Sequence, residues 1–308
     1  MVLLMRSTQP KPLTARRWAF IYLLATGLLF AHPVTVFTLP EQDLRWGYMA
    51  TSFHNPPINL SIPFALAAVV GFVALLRPSS AARRWLALWT TAALLLAMTA
   101  KVNAGMSLLP AFALLTVVQG ARGGGVPWWR LTAVIAAGGF ILLVQALISA
   151  LGETISGNGV AFMPFEFLDR VERADPGSGS YLAFKFALSA LFPLGVYLAY
   201  FRTATRDLLF NAGWAVFGVS AIWNYLFIED NTRWYHGNFT WNGEYGFTVL
   251  FAIASVFFMA RISALLEPGR SPLTNPRAVL LLLVYTLHLL SGMLYIYVTA
   301  ADEVPYWF

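Results

Sequence analysis

The chain has 308 residues, of which 58% are hydrophobic, 15% aromatic and only 11% charged. Soluble domains carry about 25% charged residues, so an ordinary water-facing surface is excluded and lipid is the expected solvent. The sequence has no cysteine, which removes disulfides, thiolate metal sites and a cysteine nucleophile. Its net charge of +6 follows the membrane pattern set out below and does not mark a nucleic-acid partner.

Crossing about 30 Å of hydrocarbon takes about 20 apolar residues in a helix. The apolar blocks predict spans near 18–38, 59–76, 85–100, 104–119, 131–151, 181–201, 211–228, 245–264 and 278–299. The stretch 85–119 is too long for one crossing at 1.5 Å per residue. With Lys101, Asn103 and Gly105 at its middle, it reads as two short helices joined by a tight turn at 101–105. The expected fold is therefore all-α, a single polytopic membrane domain over 1–308 with about nine transmembrane helices. The first span is too long for a secretory signal, and no small-residue cleavage site precedes the next loop.

Charge sets the expected orientation. Arg6, Lys11, Arg16 and Arg17 precede the first span, and Arg77, Arg83, Arg84, Arg122, Arg130, Arg202, Arg206, Arg261, Arg270 and Arg277 fall in or flank every second connection after it. Those 14 of 20 basic residues share their side with only Asp207 and Glu267 among the acids. By the positive-inside rule that side is cytoplasmic. The N-terminus is then inside and the C-terminus outside.

Four outer segments carry the polar chemistry. The first, 39–62, offers Glu41, Asp43, His54 and Asn55. Its carboxylates suit a general base or a metal, although prolines on either side also fit a plain solvated loop. The second is the turn with Lys101 and Asn103, where an ammonium near hydrocarbon either snorkels or has an anionic partner. The third, 152–180, contains FMPFEFLDRVER at 162–173. Glu166–Arg170 and Asp169–Arg173 are spaced to pair on a helix, and Phe162, Phe165 and Leu168 are spaced to share a face. That predicts an amphipathic helix lying on the membrane surface, either structural or a lid over a lipid-substrate groove.

The fourth segment, 224–246, is the richest. It holds Glu229, Asp230, Arg233, Trp234, His236, Asn238, Trp241 and Glu244. Arginine binds phosphate oxygens bidentately and histidine exchanges protons near neutral pH. Aromatic faces suit the apolar faces of sugar rings. An aromatic belt accounts for the rings, but not for two acids, an arginine and a histidine within eight residues. His32 and His288 fall in or near spans and read as helix-packing histidines. No HExxH, P-loop or GxSxG is present, and the GARGGG run at 120–125 follows no strand.

His236-Gly-Asn238, followed by Glu244-Tyr-Gly246 and an apolar run, resembles the outer-loop His-Asn and Glu-x-Gly signature of bacterial O-antigen polymerases and ligases. A glycine separates His236 from Asn238, and nine spans are fewer than those enzymes usually have. The plan also resembles C-type glycosyltransferases, whose catalytic acid in the first outer loop implies Asp43 or Glu41. KVNAGMSLLPAFALL, LSALFPLGVYLAYF and RWYHGNFTW are similar to stretches of multi-span surface-polysaccharide proteins. The resemblance implies glycosyl transfer or polymerisation on a polyprenyl-diphosphate-linked glycan, in the inner membrane of a bacterium. Arg233, with Lys101, would hold the diphosphate. His236 or a carboxylate among Glu41, Asp43, Glu229 and Asp230 would take the acceptor proton. Asn103, His54, Asn55, Asn238, Trp234, Trp241 and Glu244 would contact substrate. No metal or cofactor is called for. The expected partners are the lipid-linked glycan, membrane lipids and other envelope-synthesis proteins. A transporter or flippase, and a non-catalytic subunit of a synthesis complex, are the competing expectations.

Overall fold

The computed structural model describes residues 56–77, 83–123, 125–153, 160–174, 182–229, 239–265 and 274–301. The chain is mostly helical. Five helices are long and apolar enough to cross a membrane, within Pro57–Leu76, Asn103–Ala121, Trp128–Ile148, Trp241–Ile262 and Pro276–Leu294, and Arg84–Ala100 is a shorter apolar helix. These are the helices of a multi-pass membrane protein. The predicted span 18–38 lies outside the described residues.

Two compact units are present, and the first comprises described residues of Ser52–Gly179 and Asn211–Val249. Its helices are α1 (Pro56–Leu76), α2 (Arg83–Ala100), α3 (Asn103–Ala121) and α4 (Trp128–Glu153). Strand β1 (Val160–Phe162) and helix α5 (Glu166–Ala174) follow, and most of α9 (Leu208–Leu226), strand β2 (Phe227–Glu229) and the head of α10 (Thr240–Leu265) complete it. Phe72 of α1 stacks on Phe112 of α3 at 4.0 Å, and Phe217, Tyr245 and Phe247 are buried with aliphatic and small side chains in the same unit. The outward face is also apolar: Trp89, Leu96, Phe140, Leu143 and Leu147 are all exposed, a surface that suits hydrocarbon and not water.

The expected turn in 85–119 is present and tighter than foreseen. Helix α2 ends at Ala100 and α3 starts at Asn103, with the Ala104 N–H donating to Lys101 O at 3.0 Å. The 18 residues of α2 rise about 27 Å, close to one hydrocarbon thickness. Arg84 and Arg122 therefore stand at one end of this pair and Lys101 at the other.

Several expectations are corrected. The all-α reading misses a two-stranded antiparallel sheet that pairs Val160 with Glu229, Ala161 with Ile228 and Phe162 with Phe227. The predicted span 211–228 accordingly leaves the helix at Leu226, because its last residues take strand partners. The amphipathic helix begins at Glu166, so Phe162 lies on β1 and Phe165 in the turn before the helix. Arg170 pairs with Glu166 at 2.9 Å as expected, but Arg173 also reaches Glu166 at 2.9 Å and not Asp169. Two turns of helix bring positions 166 and 173 onto one face, and the longer arginine closes the distance.

The second unit comprises described residues of Ser180–Phe210 and Leu250–Phe308. The predicted span 181–201 is interrupted here. It forms α6 (Leu182–Ser189), α7 (Leu191–Ala199) and α8 (Phe201–Ala204). Pro193 explains the first interruption: it has no N–H for the Ser189 carbonyl and its ring crowds that turn. The Phe192 N–H donates to His288 Nε2 of α11 (Pro276–Ala301) at 3.4 Å. Phe192 packs against Phe251, Phe258 and Tyr285, with ring centroids 5.0 to 5.6 Å apart. His288 is fully buried edge-on to Phe251, which agrees with its reading as a packing histidine.

Candidate functional site

The first unit gathers polar side chains at the end where α3 and α10 begin. Lys101 is half-buried in the turn, with Nζ 5.7 Å from the centroid of the Trp241 ring on α10. Burial pushes the Lys101 ammonium below its ordinary range, and the Glu244 carboxylate offsets part of that. Asn103 and Glu244 are both buried. An ammonium, a carboxylate, an amide and an indole face thus come together from two chain segments about 140 residues apart.

Helix α10 starts at Thr240, several residues before the apolar run that sets the predicted start at 245. Hydropathy places Trp241, Asn242 and Glu244 in water. Tertiary packing instead turns Asn242 and Glu244 inward, which lets the helix begin earlier. Behind the Lys101 group runs a seam of buried polar side chains. Ser220 of α9 donates to Ser107 of α3 at 2.9 Å, and Ser107 donates to Asn242 Oδ1 at 3.3 Å. Among the described residues nothing accepts from Asn242 Nδ2. Ser61 of α1 donates to Ala97 O at 2.9 Å and lies 3.4 Å from the Tyr245 hydroxyl. The Trp223 indole N–H donates to Met106 O at 2.8 Å and ties α9 to the first turn of α3.

Close backbone approach makes this seam possible. A Cβ on Gly243 would lie 3.0 Å from Asn224 Cγ, and one on Gly246 would run into the Ser220 hydroxyl and lie 3.1 Å from Phe217 Cα. Gly246, part of the Glu-x-Gly pattern, therefore has a packing reason to be glycine.

The sheet brings residues 160–165 to the same end. Phe227 of β2 lies 5.4 Å from Phe162 and 6.3 Å from Phe239, which directly precedes α10. Trp223 stacks on Phe239 at 6.1 Å. Residues 160–165, the end of α9 and the head of α10 are thus neighbours of the Lys101 group within one unit.

Of the residues expected at the site, Lys101, Asn103, Trp241 and Glu244 are brought together. Glu229 ends β2 opposite Val160. Glu41, Asp43, His54, Asn55, Asp230, Arg233, Trp234, His236 and Asn238 lie outside the described residues. Sequence reasoning missed Ser61, Ser107, Ser220 and Asn242. Their signal was helical spacing: Asn103 and Ser107 are four apart, as are Ser220 and Asn224, and Asn242 and Tyr245 are three apart, so each pair shares one face. Among the described residues no three His, Asp or Glu side chains gather as a metal site would require. Comparison of the chain with family models, curated proteins and solved structures returns no match.

Proposed function

We propose that the chain is a membrane glycosyltransferase or polysaccharide polymerase or ligase, acting at the outer face of a bacterial inner membrane on a polyprenyl-diphosphate-linked glycan. The observation that carries this reading is the grouping of Lys101, Asn103, Trp241 and Glu244 where α3 and α10 begin. An ammonium can hold a diphosphate leaving group, an indole face can support a sugar ring, and a carboxylate can take a hydroxyl proton. Phe227 and Phe239, which flank segment 230–238 with Arg233 and His236 in the sequence, are ring neighbours 6.3 Å apart. The orientation proposed with it keeps the N-terminus cytoplasmic and the C-terminus outside.

The test changes Arg233, His236, Asp43 and Lys101 singly to alanine in the producing cell. Surface glycan chain length and the pool of lipid-linked precursor are then measured. Shortened glycan with accumulated precursor is the expected result. Variants that accumulate normally and leave both quantities unchanged defeat the reading.

A transporter or flippase of a lipid-linked or small polar substrate is the second reading. Its specific support is the interrupted helix at Ala190, whose Phe192 N–H is taken by a buried histidine about 18 Å along α11 from Pro276. With Pro276 at the membrane face, that distance would reach the middle of the hydrocarbon, where transporters place broken helices. A flippase defect would hold precursor on the cytoplasmic leaflet, which labelling from outside distinguishes from a transfer defect.

A further inference from the structure

The segment 160–165 presents four large apolar side chains outward. Val160, Phe162, Met163 and Phe165 are 61%, 63%, 38% and 49% exposed. The strand geometry accounts for the first two. Val160 and Phe162 are two residues apart and share the outer face of β1, while Ala161 between them is paired with the buried Ile228. The turn accounts for the others. The Met163 N–H donates to Leu226 O at 3.0 Å and the Phe165 N–H to Tyr225 O at 2.7 Å. Phe165 has φ of +62°, a conformation non-glycine residues rarely adopt. Rings also brace the edge, Phe162 against Phe227 and Phe165 against Tyr225. The apolar side chains are therefore held outward by the fold.

We propose that this edge, and not helix α5, is the part of the outer region that enters the lipid interface. Its depth is the first argument. Phe162 touches Phe227, Phe227 touches Phe239, and two residues later Trp241 begins an apolar span. Trp223, packed on Phe227 at 4.5 Å, is bonded to Met106 in the first turn of the span that starts at Asn103. The edge thus sits at the level where two spans begin, the level aromatic side chains favour in a bilayer. The second argument is the helix beside it. Phe167 of α5 is buried and Asp169 exposed, while Arg170 and Arg173 neutralise Glu166. Among the described side chains of α5 the apolar Phe167 is turned to the protein and the exposed Asp169 and Arg173 are charged, a poor match to the insertion expected from an amphipathic helix. Strand β2, which pairs with this edge, leads directly into segment 230–238. Lipid anchorage of the edge would hold the start of that segment at the surface along which a lipid-linked substrate moves. The proposal rests on the membrane reading and not on the reaction.

Because the chain has no cysteine, single-cysteine labelling needs no background removal. Val160→Cys, Phe162→Cys, Phe165→Cys and Asp169→Cys are each labelled with a nitroxide in the full chain, in nanodiscs of phosphatidylcholine and phosphatidylglycerol. Power saturation then compares access of oxygen, which favours lipid, with access of a water-soluble nickel chelate. The expected result is oxygen access exceeding nickel access at 160, 162 and 165, and the reverse at 169. Nickel access at 160–165 equal to that at 169 overturns the proposal. Exclusion of both reagents with an immobilised spectrum also overturns it, because the edge is then covered by protein. Val160→Cys keeps the Phe162–Phe227 contact, so it reports on the edge should Phe162→Cys not fold. The outcome is independent of the glycan assay, so failure of either leaves the other standing.

Discussion

The Ser220 hydroxyl occupies the place where a side chain on Gly246 would begin. Helices α9 and α10 approach closely there, and the same hydroxyl donates into the buried seam through Ser107. Gly246→Ala must therefore push the helices apart or displace Ser220 from its acceptor. Overpacking of this kind costs about 1–3 kcal/mol. Thermal unfolding in detergent should show a lower transition for Gly246→Ala. Partial recovery is expected in the double variant with Ser220→Gly, which removes both the oxygen and the Cβ that the new methyl would meet. Equal stability of wild type and Gly246→Ala would show that the helices are not so close.

Ser107 links two other polar groups inside the first unit. It accepts from Ser220 and donates to Asn242. Ser107→Ala removes both bonds while leaving the neighbours buried. Leaving a buried polar group without its partner costs about 1–3 kcal/mol. Thr99→Ala, whose hydroxyl is exposed and bonded only to its own helix at Leu96 O, is the comparison. Ser107→Ala should lower the unfolding temperature clearly more than Thr99→Ala. Similar losses would mean that the seam contributes nothing particular.

In the second unit, His288→Leu takes away the acceptor of the Phe192 N–H. His288→Gln keeps an acceptor of nearly the same reach. Amide hydrogen exchange over 186–194 should quicken in the leucine variant, consistent with a cost of about 1–3 kcal/mol for the stranded donor. The glutamine variant should stay near wild type. Unchanged exchange in both would remove His288 from the account of the interrupted helix.

Lys101 should behave as the weak base its surroundings make it. Burial disfavours the ammonium, so a larger fraction is neutral amine below its ordinary value of 10.5. The neutral amine is the nucleophile. Acetic anhydride labelling, followed by mass spectrometry across pH, should titrate at Lys101 below that value. Glu244→Gln should shift the titration lower still, because the carboxylate favours the charged form. Titration at or above 10.5 would contradict the burial of the turn.

Glu166 carries the opposite sign. Hydrogen bonds from Arg170 and Arg173 hold its carboxyl below the ordinary 4.5. A depressed carboxyl adds stability above its unfolded value, and that stability is lost as pH falls through the folded value. The window therefore lies below pH 4.5, and partial exposure keeps the effect under about 1 kcal/mol. Amide exchange in 166–174, corrected for its intrinsic pH dependence, should speed up in that window. Glu166→Gln should flatten the response.

The membrane character was legible in the sequence because hydropathy is summed over about 20 residues, and single exceptions do not change the sum. The helices α1, α3, α4, α10 and α11 follow from it, and so does the turn at Lys101, where one long helix would have overrun the bilayer. The interruption at Ala190 was less legible. Its apolar sum is unaltered by Pro193, and the accommodation depends on His288 nearly one hundred residues away.

The candidate site divides in the same way. Lys101, Asn103, Trp241 and Glu244 stood out by residue type alone, since charge, amide and indole are unusual beside hydrocarbon. Sequence could not say that the turn and the head of α10 meet, because nothing local distinguishes a solvated loop from one packed on a partner. Nor could it show that Ser61, Ser107, Ser220, Asn242 and Tyr245 face inward. Serine and tyrosine are common on either side of a span, and orientation is set by neighbouring helices. The strand at 160–162 was hidden for a related reason: three residues make no period, and β1 exists through its pairing with 227–229. Composition along the chain determined that this protein belongs in a membrane and where it turns. Tertiary structure decided which polar groups share a space, because that depends on packing between helices far apart in the sequence.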